Sequence, residues 1–165
     1  MNNSHNIDNI NNNIALVNGP NLNLLGKREP HLYGTTTLKE IITQVNHRAA
    51  TYPTLNIKIN DFQSNHEGAL IDFIHSLLDD ANLIGIILNP GAYSHTSIAL
   101  HDALTVMTCP IVEVHLSNIA TREAFRHHSY FSSRATGTIT GLGAFSYMAA
   151  LEYLIEQHRL KKKSS

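Results

Sequence analysis

The run Leu83-Ile84-Gly85-Ile86-Ile87-Leu88, closed by Asn89-Pro90-Gly91, constrains this chain more than any other feature. A near-continuous apolar stretch of strand length suits a strand covered on both faces, and such strands belong to parallel sheets sandwiched between helices. The Asn-Pro-Gly stop ends the run in a turn. The rest of the chain repeats the theme. Ile14 to Val17 is a short apolar run stopped by Asn18-Gly19-Pro20. Leu38, Ile41, Ile42, Val45 and Ala49 recur at helical spacing behind a cluster of threonines that supplies N-caps. Leu55 to Phe62 alternates as a strand. The next helix, capped by Ser64 or Asn65, carries Leu70, Phe73, Ile74, Leu77 and Leu78 on one face. A helix over about 96–107, a strand over 111–114, a strand over 135–140 and a C-terminal helix bearing Phe145, Met148, Leu151, Leu154 and Ile155 complete the pattern.

Five strand–helix repeats without internal sequence repetition predict a flavodoxin-like, doubly wound α/β sandwich: a five-stranded parallel sheet with helices on both faces. At 165 residues the chain fits one domain, assigned to 14–158, with an Asn-rich disordered head over 1–13 and a basic flexible tail over 159–165. Sites in this architecture lie beyond the carboxyl ends of the strands. Asn18, Asn89 and His115 all stand where a strand runs out.

Composition excludes several classes. A formal net charge of −1 offers no basic stripe for nucleic acid, and no apolar run reaches membrane-spanning length. The single cysteine, Cys109, rules out an internal disulfide framework and suits a reducing compartment. With no leader-like segment, the expected location is cytoplasmic. His66-Glu67 begins like a zinc-protease helix, but Leu70 stands where the second histidine must be. His127 and His128 are adjacent and would diverge, so a metal is not expected. Gly141-Leu142-Gly143 has Ser146 in place of a third glycine and sits on the last unit, so close packing explains it better than a nucleotide does. No Gly-x-Ser-x-Gly elbow occurs.

Four segments stand out, three of them unexplained by folding and the second, Phe62 to Gly68, notable only for the likeness it shares with them. These are Asn18 to Gly34 (NGPNLNLLGKREPHLYG), Phe62 to Gly68 (FQSNHEG), Asn89 to Ser97 (NPGAYSHTS), and Glu113 to Asn118 with Arg122 to Ser129 (EVHLSN and REAFRHHS). They gather Asn, Arg, His and Tyr at strand ends, where a fold alone accepts nearly any turn residue. Together, and in this order, they resemble the signature segments of the type II 3-dehydroquinate dehydratases, a likeness running from about residue 14 to 155.

That resemblance implies a lyase converting 3-dehydroquinate to 3-dehydroshikimate by anti elimination of water through an enolate. The step belongs to the shikimate route to aromatic amino acids and is shared by quinate breakdown. It needs no Schiff base, metal, nucleotide or other cofactor. Tyr33 is the implied base, its proton loosened by the neighbouring charge of Arg28. His115 is the implied general acid, and Glu113, two residues earlier on the same strand face, could orient and charge it. Asn21 would help stabilise the enolate, through a held water. Asn89 and the backbone amides of Leu116 and Ser117 would meet the substrate carboxylate, while His95, Asp102 and Arg126 would bond the ring hydroxyls. Arg122 would add positive potential. The family supplies Asp102 from a neighbouring subunit, which implies a homo-oligomer, a dodecamer built from trimers. The loop carrying Arg28 and Tyr33, bracketed by Gly26 and Gly34, would close over substrate. Two other readings compete: a flavodoxin-like binding module without catalysis, and a nucleotide-dependent enzyme.

Overall fold

A computed structural model of the chain describes residues 11–27 and 34–164. Arg28 and Tyr33, both implicated above, lie outside the described residues, as does most of the Asn-rich head. Five parallel strands, β1 (Asn12–Asn18), β2 (Ile57–Gln63), β3 (Leu83–Asn89), β4 (Ile111–His115) and β5 (Gly137–Thr140), form one sheet in the order β2-β1-β3-β4-β5. This is the flavodoxin-like order, with the direction of winding reversed between β1 and β3. The helices are α1 (Leu38–Ala50), α2 (Glu67–Ser76), α3 (Ile98–Thr105) and α4 (Phe145–Ser164).

The sheet divides its apolar side chains by strand periodicity. Ile14, Leu16, Ile87, Val112 and Val114 pack under α1 and α4, where Ile41, Val45, Tyr147, Leu151 and Leu154 meet them. Ala15, Val17, Ile86, Leu88 and Ile111 face the other way, against Leu70 and Ile74 of α2 and Leu100 and Leu104 of α3. Helix α1 begins as the threonine cluster predicts. Thr37 accepts a hydrogen bond from the Glu40 backbone N–H at 3.2 Å, and the Glu40 carboxylate accepts one from the Thr37 N–H at 2.7 Å. That reciprocal box satisfies two donors that a helix start leaves open.

Several boundaries differ from expectation. Strand β1 starts at Asn12, so Asn12 and Asn13 belong to the sheet rather than to the head; Asn12 is buried despite its polarity. Strand β2 starts at Ile57 because Pro53–Leu55 wind a 3-10 turn and Asn56 turns the chain in the left-handed region (φ 45°). Strand β5 begins two residues later than expected, at Gly137. Neither Ser64 nor Asn65 is the cap of α2; His66 holds that position, and Ser64 Oγ instead accepts the His66 N–H at 2.9 Å. The largest difference is at the C-terminus, where α4 continues to Ser164 through the stretch expected to be a tail. No glycine or proline interrupts it, and Lys161, Lys162 and Lys163 in the last turn complement the negative end of the helix dipole.

The loops after β1 and β3 are pressed together. A Cβ added to Gly19 would lie 2.2 Å from the Pro90 carbonyl oxygen, closer than any contact can be, and the Gly19 N–H donates to the Asn89 carbonyl at 2.8 Å. Gly19→Ala is therefore expected to lower stability by about 1–3 kcal/mol, as overpacking against a rigid backbone does. Urea denaturation measures it. A loss below a few tenths of a kcal/mol would show that the two loops can part without cost.

Candidate active site

The carboxyl ends of β1, β3 and β4 open onto one cavity. Pro20, Asn21, Leu22 and Leu25 line it from the loop after β1; Asn89, Gly91, Ala92 and His95 come from the end of β3 and the 3-10 turn behind it. His115, Leu116, Ser117, Ile119, Arg122 and Arg126 line it from the end of β4 onward. Of the sequence-derived candidates, Asn21, Asn89, His95, His115, Leu116, Ser117 and Arg126 thus surround a single space. An adjoining depression is lined by Gly34, Thr36, Leu116, Ser117 and Arg122. Gly34, which follows Tyr33 in sequence, is thus beside the site.

The floor is a buried acid–imidazole pair. Strand alternation turns Glu113 and His115 to the same face, and the Glu113 Oε1 lies 2.8 Å from His115 Nε2. Glu113 is fully buried and His115 nearly so. Burial alone pushes the Glu113 carboxyl upward. Hydrogen bonds from His115 and Ser129, the charge interaction with His115 and a further hydrogen bond from Ser132 together outweigh it and hold the carboxyl below its ordinary value. The two serine hydroxyls donate at 2.7 Å to Oε1 and 3.0 Å to Oε2. They come from the long connection between β4 and β5, and neither was legible from the sequence as a site residue. Serine is so common in loops that only the fold reveals what it faces.

The cation rim has its own support. Glu123 lies 2.8 Å from Arg126 Nε and 3.4 Å from Arg122 Nε, so one exposed carboxylate steadies two guanidinium groups beside the cavity. His95 Nδ1 lies 2.7 Å from the His128 carbonyl oxygen, which can only accept, so that nitrogen carries the proton. Burial lowers the His95 pKa, offset in part by this bond, and nearby His115 and Arg126 lower it further. A neutral ring of this tautomer leaves Nε2 as an acceptor. Asn21 adopts φ 66°, a left-handed conformation that Asn tolerates better than most residues, and its N–H donates to Asn65 Oδ1 at 2.8 Å. The FQSNHEG segment thus supports the site from outside rather than lining it.

The first turn of α4 braces the end of β4. The Gly141 N–H and the Ser146 hydroxyl both donate to the His115 carbonyl, at 3.2 Å each, and the Gly143 N–H donates to the Leu116 carbonyl at 2.9 Å. Gly141 and Gly143 both take positive φ (84° and 57°), which is what this turn requires of them.

Two described candidates do not line the cavity: Glu113, buried behind His115, and Asp102, which lies away from it. Asp102 lies on α3 with a side chain 71% exposed, beside His101 at 3.1 Å. Among the described residues, no group of three or more His, Cys, Asp or Glu side chains could hold a metal ion. No helix among them is long and apolar enough to cross a membrane.

Comparison with known proteins gives one answer. Residues 12–155 match the family model described as dehydroquinase class II. A protein of Emericella nidulans named catabolic 3-dehydroquinase is 50% identical over 153 residues, covering 92% of this chain and 97% of that protein. A 3-dehydroquinate dehydratase of Ralstonia pickettii is 51% identical over 146 residues, covering 88% and 92% respectively. Among solved structures, a type II dehydroquinase from Propionibacterium acnes superposes with a TM-score of 0.80 at 42% identity, covering 87% of this chain and 95% of that one.

Proposed function

The chain belongs to the class II dehydroquinases, and from that membership we propose how its residues divide the work of dehydrating 3-dehydroquinate. The family's reaction removes a proton next to a ketone and a hydroxyl one carbon further on, leaving a conjugated enone and water. It needs a base, a place for negative charge on the enolate oxygen, and an acid for the departing hydroxyl.

The observation that carries the assignment of roles is the Glu113–His115 pair at the cavity floor. An imidazole held by a buried carboxylate through Nε2 has one orientation, and Nδ1 is left for proton transfer to the leaving hydroxyl. Tyr33 is the base, its phenolate favoured by Arg28 five positions earlier in the sequence, and the next residue, Gly34, lines the depression beside the cavity. Asn21 serves the enolate oxygen through a water. Asn89 and the Leu116 and Ser117 amides take the carboxylate, with the positive potential of Arg122 nearby. His95 Nε2, as an acceptor, and Arg126, as a donor, suit ring hydroxyls.

Asp102 serves a neighbouring subunit in this reading. One turn before it on α3 stands Ile98, 57% exposed, and Phe125 and Phe145 are likewise exposed elsewhere on the surface. An outward carboxylate next to uncovered apolar surface suits a face that another copy covers. The proposed assembly is a dodecamer of trimers, read by light scattering. A cytoplasmic location accords with the one free cysteine, Cys109, whose thiol burial pushes up and so away from reactivity. The same dehydration serves quinate breakdown and aromatic biosynthesis. Growth on quinate and rescue of an aromatic auxotroph are the two assays that assign the role in the cell.

The direct test mixes purified protein with 3-dehydroquinate and follows the conjugated enone by its ultraviolet absorbance. Turnover is expected without added metal or nucleotide and after exhaustive chelation. A well-folded protein that forms no product sinks the reading.

A further inference from the structure

We propose that Tyr147 is a positioning residue for substrate binding: its hydroxyl fixes which edge of the Asn89 carboxamide faces the acid group of the substrate. The inference rests on the reading of Asn89 as a carboxylate ligand given above.

Three buried polar side chains meet where a fold alone would accept leucine or valine. Asn18 ends β1, Asn89 ends β3, and Tyr147 enters from the first turns of α4; all are at most 2% exposed. Asn89 Nδ2 donates to the Tyr147 hydroxyl at 2.8 Å, and that hydroxyl donates to Asn18 Oδ1 at 2.7 Å. The Gly91 backbone N–H donates to Asn89 Oδ1 at 3.2 Å.

The direction of this chain is determined. A backbone N–H can only donate, so the edge of Asn89 facing Gly91 must be its oxygen. Its nitrogen then faces Tyr147, whose oxygen accepts and whose single proton must go to Asn18. Burial pushes the phenol well above its ordinary range, so the proton that sets this direction stays in place. The carboxamide nitrogen has a second N–H. Because Asn89 lines the cavity, that N–H is the group with which it can meet a carboxylate. An amide turned over would present its oxygen instead, like charge against like. The Gly91 bond is long and single, so Tyr147 supplies the tighter of the two restraints.

The arrangement is not the most stable one available. Among the described residues, Asn18 Nδ2 is buried without a hydrogen-bond partner. An unmet buried donor has a cost that an apolar trio would avoid. A polar relay kept at that cost, and ending on a cavity-lining amide, points to the site and not to the core.

The test is a double-mutant cycle in steady-state kinetics with 3-dehydroquinate. Tyr147→Phe keeps the ring and removes the hydroxyl. It is expected to raise KM roughly tenfold, the scale of one lost buried hydrogen-bond partner, with kcat within about twofold of the parent. Asn89→Ala is expected to raise KM at least as much, and adding Tyr147→Phe to it should raise KM no further, because the two act through one amide. If Asn89→Ala leaves KM unchanged, Asn89 is not the carboxylate ligand, and the underlying reading is overturned with the inference. If Asn89→Ala raises KM but Tyr147→Phe does not, or its effect multiplies in full with that of Asn89→Ala, Tyr147 is only structural and the inference alone is overturned. Should Tyr147→Phe not fold, Asn18→Ala replaces it. That variant removes the acceptor fixing the tyrosine proton, and is expected to raise KM by a smaller factor; an unchanged KM is the overturning result.

Discussion

Tyr33→Phe is expected to unfold at the parent's temperature, to bind a substrate-like acid as the parent does, and to lose turnover by roughly 10²- to 10⁴-fold, the contribution of a positioned general base. The first two expectations follow from placement. The described residues already supply an apolar cluster on each face of the sheet, and Gly34, next to Tyr33 in sequence, lines the depression adjoining the cavity. The third follows from chemistry. A phenol at neutral pH is almost wholly protonated unless a cation favours the phenolate, and Arg28 lies five positions earlier in the chain. Arg28→Ala should accordingly move the rising limb of the rate–pH profile to more alkaline pH, since losing the cation raises the phenol's pKa. Turnover within twofold of the parent in Tyr33→Phe would mean that the base lies elsewhere.

The second large effect concerns stability. Glu113→Ala removes the common acceptor of His115, Ser129 and Ser132 from a wholly buried position, and is expected to cost about 3–5 kcal/mol, as breaking a buried pair does. Glu113→Gln keeps the volume and exposes the pH dependence. The folded carboxyl titrates below the usual value of 4.5 because its hydrogen bonds and the charge interaction with His115 together outweigh the upward push of burial. A depressed pKa contributes stability that is fully present above the unfolded value and disappears as pH falls through the folded one. The parent should thus exceed Glu113→Gln in stability throughout neutral pH, and the gap should narrow below about pH 4.5. Melting curves at neutral and acid pH read this directly. A gap that stays constant, or widens towards acid, would show that the carboxyl is not ionised in the folded protein.

How much of this was legible in the sequence depended on whether a residue's role was periodic. The central strand from Leu83 to Asn89 could be read at once, because a strand covered on both faces admits no polar alternation. Helix α1 announced itself through its spacing and its threonine cap. Edges were harder. Pro53–Leu55 winds a 3-10 turn where the strand was expected to begin, α3 starts at Ile98 rather than at about 96, and the polar end of α4 looked like a tail until dipole and continuity were weighed.

The site followed the same division. Asn18, Asn89 and His115 were visible as oddities at strand ends; the structure brings Asn89 and His115 to one cavity and leaves Asn18 buried behind it, against the Tyr147 hydroxyl. Ser129 was quoted only as the end of a signature segment and Ser132 not at all, since they reach Glu113 only after the connection beyond β4 has folded back. Tyr147 sat on the apolar face of a helix, where an aromatic residue reads as packing; only its partners reveal the hydroxyl's use.

The bracing of three strand ends by the last helix also sets an order of assembly. Tyr147 is 129 positions from Asn18 and 58 from Asn89, and Ser146 is 31 from the His115 carbonyl it holds. All three contacts wait on α4, which is the last element of the sheet-and-helix order to be synthesised. As the chain emerges during synthesis, β1, β3 and β4 can pair while their polar tips are still unrestrained. Only when α4 docks does the cavity acquire its fixed amide and its steadied histidine. A complete site in this chain thus depends on its last helix, and a refolding experiment should see activity return no earlier than the burial of Tyr147.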